Sequence, residues 1–169
     1  YYAELNPNKI LLPPHLKFLH FRIFAPGPIK IKWKIRTLND VRDMLIHYAP
    51  LHAFYSTSYF LNPTKVGRKG SDGAIFLFSD EFVVDVDREN LEEAKEDTLK
   101  LIEAIREINL TIKYVVFSGH KGFHIHCKMP SLSNIEDATL SMKKSLVDKL
   151  NAKTEELFGH VIPIDEAVS

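Results

Sequence analysis

Apolar residues recur along the chain with the two-residue spacing of strands and the three-to-four-residue spacing of helices, which predicts an α+β protein. Helical spacing covers about residues 38–49, 89–108 and 133–157. Strand spacing, with β-branched and aromatic enrichment, covers about residues 29–35, 51–58, 74–78, 82–87, 113–117, 123–128 and 161–165.

Polar residues beside the helical stretches mark where those helices begin. Asp40 follows Thr37 by three residues, and Glu136 follows Ser133 by three residues, so each pair predicts a capping box. Gly159 lies just beyond the last helical stretch and predicts its end.

Short connections predict how the strands pair. Residues 79–81 are short enough to make a hairpin between strands 74–78 and 82–87. The helix after residue 87 has a crossover length that allows strands 82–87 and 113–117 to lie parallel and adjacent.

The strand at residues 82–87 reads FVVDVD and carries the first candidate chemistry. Because side chains alternate faces along a strand, Asp85 and Asp87 lie on one face. Two carboxylates in this arrangement repel unless a cation lies between them, and their hard oxygen ligands suit Mg²⁺ or Mn²⁺. A strand end with solvated acids explains the pair equally well.

The turn between strands 113–117 and 123–128 reads SGHKG and is a candidate phosphate site. Its two glycines allow backbone N–H groups to face an anion, and Ser118, His120 and Lys121 add a hydroxyl and positive charge. His124 lies at the start of the outgoing strand. A plain hairpin, in which the glycines serve only the turn, is the alternative.

Near residue 169 the sequence Ile164-Asp165-Glu166 places another acid after a short apolar strand. A third carboxylate from Asp165 would complete a site for two divalent ions.

Composition narrows the class of protein. At 169 residues the chain fits one domain, and Cys127 is its single cysteine, which favours a reducing, intracellular setting. No apolar run reaches the length of a membrane span. Residues 1–69 hold 11 Lys and Arg against 3 Asp and Glu, a net of +8, and residues 70–169 hold 11 against 19, a net of −8. This asymmetry fits a polyanion partner together with a metal site.

The three motifs, in this order, resemble those of the small catalytic subunit of archaeal and eukaryotic DNA primases, in the primase-polymerase superfamily. VVDVD resembles the first motif, SGHKGFHIH the second, and IDEAVS the third. The resemblance runs from about His20 to Ser169. It implies a primase catalytic core with mixed β-sheets flanked by helices and carboxylates at strand ends.

The resemblance also implies roles for individual residues. Asp85, Asp87 and Asp165 would hold two Mg²⁺ or Mn²⁺ ions and be the catalytic residues. The triphosphate of an incoming nucleotide would be lined by Ser118, His120, Lys121 and His124. Candidates for template or primer phosphates are Lys65, Arg68 and Lys69, and on the basic strand Lys30, Lys32 and Lys34, although solvated lysines explain these equally well.

The family implies synthesis of short RNA or DNA primers on single-stranded DNA from NTPs or dNTPs, with a large subunit as partner, in the archaeal cytoplasm or the eukaryotic nucleus. Two features depart from its pattern. Residues 87–90 run directly into a helix without the cysteines of a zinc knuckle, so no structural zinc is predicted. Members of the family also usually carry a longer helical insertion before the third motif, whereas here about forty residues connect His124 to Asp165. Residue 1 is Tyr and the sequence stops at the third motif, so a fragment of the catalytic domain is expected.

Three alternatives remain open. One is a related gap-filling polymerase domain, of the end-joining ligase or plasmid type, which shares the motifs. Another is a non-catalytic nucleic-acid-binding module on the same scaffold, in which a missing carboxylate would be expected. A metal-dependent nuclease would use the paired aspartates but leave the SGHKG turn unexplained.

Overall fold

The computed structural model describes residues 4, 6–9, 18–27, 33–49, 53–65, 73–119 and 121–165, which form α-helices and antiparallel β-sheets. The helices are α1 (Leu38–Tyr48), α2 (Leu91–Glu107) and α3 (Glu136–Phe158). The strands are β1 (Phe24–Pro26), β2 (Ala53–Tyr55), β3 (Ser58–Leu61), β4 (Ile75–Ser79), β5 (Glu81–Asp87), β6 (Ile112–Phe117) and β7 (Gly122–Lys128). Short 3-10 turns lie at Pro7–Lys9, Leu19–Phe21 and Pro63–Lys65.

The chain divides into two compact units, Tyr1–Phe78 and Ser79–Ser169. No helix within the described stretches is long and apolar enough to cross a lipid bilayer.

The first unit contains two small antiparallel pairs and helix α1. Strand β1 pairs with β2, and β3 pairs with β4. The predicted capping box begins α1, since Thr37 Oγ1 accepts from the Asp40 amide and the Asp40 side chain accepts from the Thr37 amide. The core of this unit is apolar and consists of Phe24, Ile35, Val41 and Met44.

The prediction of one continuous strand at residues 51–58 is wrong. The strand is interrupted after Tyr55, because Ser56 Oγ accepts from the Ile23 amide at 2.9 Å and donates to the Ser58 carbonyl at 2.6 Å. Such local side-chain bonds compete with the strand ladder. Of the predicted strand at 29–35, only residues 33–35 are described, and Trp33 makes a single bridge to Phe24.

The second unit is a three-stranded antiparallel sheet in the order β5-β7-β6, with α2 and α3 packed on one face. Alternation along β5 directs Phe82, Val84 and Val86 into the apolar core, where each is fully buried. The helices and β7 complete this core with Leu101, Ile105, Leu146, Leu150, Ile125 and Cys127. The opposite face of β5 therefore carries Asp85 and Asp87.

Two predicted strand pairings are wrong. The hairpin across residues 79–81 does not form among the described residues, because the Asp80 carbonyl accepts from the Met129 amide at 3.1 Å, at the end of β7. Strands β5 and β6 are parallel but not adjacent, since the tight turn after Phe117 folds β7 back between them.

Of the two predicted ends of α3, one is confirmed and the other is wrong. Gly159, with a φ of 77°, ends the helix as predicted. The capping box at its start is wrong, because α3 begins only at Glu136 and Ser133 Oγ accepts from the Ile135 amide at 3.1 Å. The predicted strand at 161–165 is reduced to one bridge between Asp165 and Asp85.

Candidate active site at the end of β5

The two aspartates of β5 lie at the end of the strand, on the face opposite the helices. Asp85 is partly buried and Asp87 is exposed, whereas the intervening Val86 is fully buried. The strand therefore fixes both carboxylates on one surface and anchors that surface through its apolar side.

Asp165 joins these residues from 78 positions further along the chain. Its amide donates to the Asp85 carbonyl at 3.0 Å, and its Oδ2 accepts from the Asp87 amide at 2.9 Å. These two hydrogen bonds bring the third carboxylate, predicted from the sequence as part of this site, beside the first two.

His124 lies directly opposite Asp85 on the neighbouring strand β7. Its Nε2 is 3.3 Å from Asp85 Oδ1. The sequence predicts His124 as a nucleotide-binding residue at the start of the strand after the turn, and in the structure it contacts a carboxylate of the candidate metal site.

The pKa of Asp85 is raised above its usual range, chiefly because burial disfavours the charged form. His124 acts against this shift, whereas the negative charges of Asp165 and Asp87 add to it. The negatively charged carboxylates therefore repel one another, and a bound cation would reduce this repulsion.

The donor set fits a hard divalent cation by its chemistry, since three aspartates offer only oxygen ligands. In the described part of the chain, however, no group of three or more His, Cys, Asp or Glu side chains is arranged to hold a metal ion. Asp165 Oδ2 accepts from the Asp87 amide and from Arg88 Nη1, each at 2.9 Å.

The glycine turn reaches the same end of the sheet. Ser118 closes it by donating its amide to the Gly122 carbonyl at 2.9 Å, and Gly119 has a φ of 104°. A Cβ on Gly122 would lie 2.7 Å from the Val86 carbonyl oxygen and 2.9 Å from Ser118 Oγ, so only glycine fits. Gly122 pairs with Asp87, which places Ser118 and the carboxylates at one edge.

The structure describes only some of the other predicted binding residues. Lys121 is partly buried, and its carbonyl accepts from the Arg88 amide at 3.4 Å. Lys65 is exposed at the end of a 3-10 turn in the first unit. In that unit Lys34 lines a cavity of about 450 Å³ with His20 and Arg36. Outside the described residues lie His120, Arg68, Lys69, Lys30 and Lys32.

Arg88 is the residue of this site that the sequence analysis missed. Its side chain is only 9% exposed and contacts Asp165 and Asp97. A basic residue directly after two aspartates was the available signal, but nothing in the sequence showed that the guanidinium turns back toward them.

Comparisons with known proteins agree with the motifs. No protein-family model matches the chain. The DNA primase small subunit PriS of Pyrobaculum aerophilum is 34% identical over 63% of this chain and 38% of its own length. The corresponding subunits of Pyrobaculum islandicum and Methanocaldococcus jannaschii are 33% and 30% identical, over 78% and 85% of this chain and 45% and 46% of their own lengths. The chain therefore spans less than half the length of these relatives.

The fold has a solved counterpart. The polymerase domain from Mycobacterium tuberculosis Ligase D in complex with DNA superposes with a TM-score of 0.52 and 16% identity, covering 89% of this chain and 50% of that one. The resemblance drawn from the motifs is thereby confirmed, and the chain is a homologue of the DNA primase small subunits with the fold of a primase-polymerase domain.

Proposed function

We propose that this chain is part of the catalytic domain of a DNA primase, a nucleotidyltransferase that synthesises short primers on single-stranded DNA. The observation that carries the proposal is the bridge between Asp165 and Asp85, which gathers three carboxylates beside the Ser118–Gly122 turn. The names of the relatives support the same activity.

In this mechanism Asp85, Asp87 and Asp165 would hold two Mg²⁺ or Mn²⁺ ions, which lower the pKa of the attacking 3′-hydroxyl and neutralise charge as pyrophosphate leaves. Ser118 donates its hydroxyl to the triphosphate, and Lys121 adds positive charge. His124, whose Nε2 is 3.3 Å from Asp85 Oδ1, orients the phosphates toward the carboxylates. Positioning and charge stabilisation supply most of the rate in such transfers.

The partners follow from the same proposal. They are a single-stranded DNA template, NTPs or dNTPs, and a primase large subunit. Basic residues of the first unit, including Lys65, would contact template or primer phosphates. The proposal includes no structural zinc, so a zinc-selective chelator should leave the melting temperature of the protein unchanged.

A gap-filling polymerase is the second candidate, and the similarity to the polymerase domain of a ligase favours it. Both activities use the same carboxylates, so only the dependence on a primer separates them.

The deciding experiment measures incorporation of labelled nucleotide on single-stranded DNA, with and without a primer, in Mg²⁺ or Mn²⁺. The full-length protein is the test sample, and Asp85→Asn is the inactive control. Primer-independent products support the primase proposal. Products only from primed or gapped DNA would support the polymerase candidate, and no metal-dependent product on any template would contradict both.

A further inference from the structure

Arg88 follows directly after the two aspartates of β5 and makes an unusual number of contacts for one side chain. Its Nε donates to Asp97 Oδ2 at 2.6 Å, and its Nη2 donates to the Pro163 carbonyl at 2.5 Å. Its Nη1 donates to both the Asp87 carbonyl at 2.7 Å and Asp165 Oδ2 at 2.9 Å. The guanidinium therefore joins three parts of the second unit: α2, the end of β5 and the segment that carries Asp165.

That segment has little secondary structure to hold it. Residues 161–164 form no helix or strand, and Asp165 makes a single bridge to β5. Ile162 is fully buried and donates its amide to Thr154 Oγ1 at 3.3 Å, which anchors the start of the segment on α3. Beyond Ile162, the contacts from Arg88 to Pro163 and Asp165 add to the two hydrogen bonds that Asp165 shares with β5, one through its amide and one through its carboxylate.

We propose that Arg88 is a positioning residue that fastens residues 163–165 onto β5 and thereby holds the third carboxylate beside Asp85 and Asp87, with Asp97 on α2 as its anchor. The fastening is a property of the metal-free protein, and its consequence for metal binding rests on the proposed function.

The chemistry of the side chain supports this role. Arginine presents five donors in a rigid planar fork, which allows one residue to serve four acceptors in fixed directions. Lysine has the same charge but a single, flexible donor centre, so it cannot reproduce that geometry. A partly buried partner such as Asp97, whose side chain is 16% exposed, fixes the fork further. Outer partners of this kind orient metal ligands and tune their affinity.

Arg88→Lys separates geometry from charge, and Arg106→Lys, at an exposed position at the end of α2, is the matched control. The first measurement is amide hydrogen exchange in the full chain without metal. Loss of charge-assisted bonds should make the Asp165 and Asp87 amides exchange roughly tenfold faster in Arg88→Lys. The Ile125 and Cys127 amides in β7 should be unchanged, and Arg106→Lys should match the unmodified protein throughout.

The second measurement is Mn²⁺ binding by electron paramagnetic resonance. Arg88→Lys should bind Mn²⁺ roughly tenfold more weakly, because its charge is kept while the third ligand is less well placed. Asp97→Asn leaves Arg88 in place but loosens its anchor, and should show the same changes at a smaller size. If Arg88→Lys does not fold, Asp97→Asn tests the proposal in its place.

The outcomes distinguish the possibilities. Unchanged exchange at Asp165 in Arg88→Lys would overturn the proposal. Tighter Mn²⁺ binding would also overturn it, because Arg88 would then be competing with the metal for Asp165. Failure of the unmodified protein to bind Mn²⁺ would count against the proposed function alone, and the exchange comparison would still decide the role of Arg88.

Discussion

Strand β5 carries acidic residues at both ends, and the surroundings of these residues are opposite in character. At its start, Glu81 is fully buried, with Lys113 Nζ and His126 Nδ1 each 3.2 Å from its carboxylate oxygens. At its end, Asp85 and Asp87 are nearer to solvent and face a third acid, Asp165. One end therefore supplies its own internal partners, and the other concentrates negative charge.

The pKa values follow this difference. Burial alone would raise the pKa of Glu81, but the hydrogen bond from His126 and the charge of Lys113 outweigh it and lower the pKa to about 2. Burial also raises the pKa of Asp85, and there the neighbouring aspartates increase the shift instead of reversing it. A buried acid with internal partners stabilises a fold, whereas crowded acids without enough cations create a place for an external one.

The largest expected effect concerns the crowded end. Asp85→Asn should lower nucleotide incorporation at least about a thousandfold, equivalent to about 4 kcal/mol, because one ligand of the proposed metal site is removed. Steady-state incorporation at saturating Mg²⁺ is the measurement, and circular dichroism checks the fold. Retention of more than a few per cent of activity by a folded variant would show that Asp85 is not a metal ligand.

At the paired end the expected loss is in stability. Glu81→Gln should lower the free energy of unfolding by about 3 kcal/mol, because Lys113 and His126 would each lose the charged partner that lies 3.2 Å away, although Lys113 keeps Asp80 at 3.7 Å. Urea denaturation measures it. The control is Glu96→Gln on α2, which removes only an exposed pair with Lys100 and should cost less than about 0.5 kcal/mol. If both variants lost the same small amount of free energy of unfolding, Glu81 would not be stabilised by its partners and the two ends of β5 would not differ.

The same carboxylate predicts the response to acid. A folded pKa of about 2 against an ordinary 4.5 means that Glu81 contributes stability above pH 4.5 and loses it as the pH falls toward 2. The loss should be on the order of 3 kcal/mol, because each pH unit between the folded and unfolded pKa values is worth about 1.4 kcal/mol. Unfolding midpoints measured between about pH 5 and pH 2 should fall steeply in the unmodified protein and less steeply in Glu81→Gln. Parallel curves would contradict the assignment.

A moderate effect is expected at the proposed nucleotide-binding residues of the turn and β7. Ser118→Ala and His124→Ala should each weaken nucleotide binding by roughly 1–3 kcal/mol, the size of one lost charge-assisted bond, and leave binding to single-stranded DNA nearly unchanged. Fluorescence titration with both ligands measures this, and His160→Ala at the exposed end of α3 is the control. Equal losses for nucleotide and DNA would indicate that the turn has collapsed.

The sequence predicted the crowded end of β5 better than the paired one. Alternation in FVVDVD was enough to place Asp85 and Asp87 on a common face, since strand geometry is local. Glu81 was assigned to a turn, because its partners Lys113 and His126 are brought to it only by long-range pairing with β7. The role of Arg88 was missed for the same reason, because its acceptors Pro163 and Asp165 lie 75 and 77 positions away in the sequence.

The pairing errors have a common physical cause. Short loops suggested neighbours in the sheet, yet β4 pairs with β3 and β7 lies between β5 and β6. In the observed sheet Phe82, Val84 and Val86 share one core with residues of α2 and α3, a long-range arrangement that the length of a loop does not specify. Local signals such as the Thr37–Asp40 box and Gly159 were confirmed because their bonds are made within a few residues.

The smallest expected effect is a gain in stability from Asp85→Asn, the same variant that is expected to lose activity. Because the folded pKa of Asp85 is raised, its ionisation costs stability progressively as the pH rises above 3.8. Without metal at neutral pH, Asp85→Asn should therefore be more stable than the unmodified protein, by an amount on the order of 0.5 kcal/mol, as expected on relieving like charges on a sheet. Asp148→Asn, at an exposed position on α3, is the control and should change nothing. Added Mn²⁺ should reverse the order, because binding stabilises only the protein that keeps its ligand. If Asp85→Asn is instead less stable without metal, Asp85 is paired within the fold as Glu81 is, and the two ends of β5 do not differ in kind.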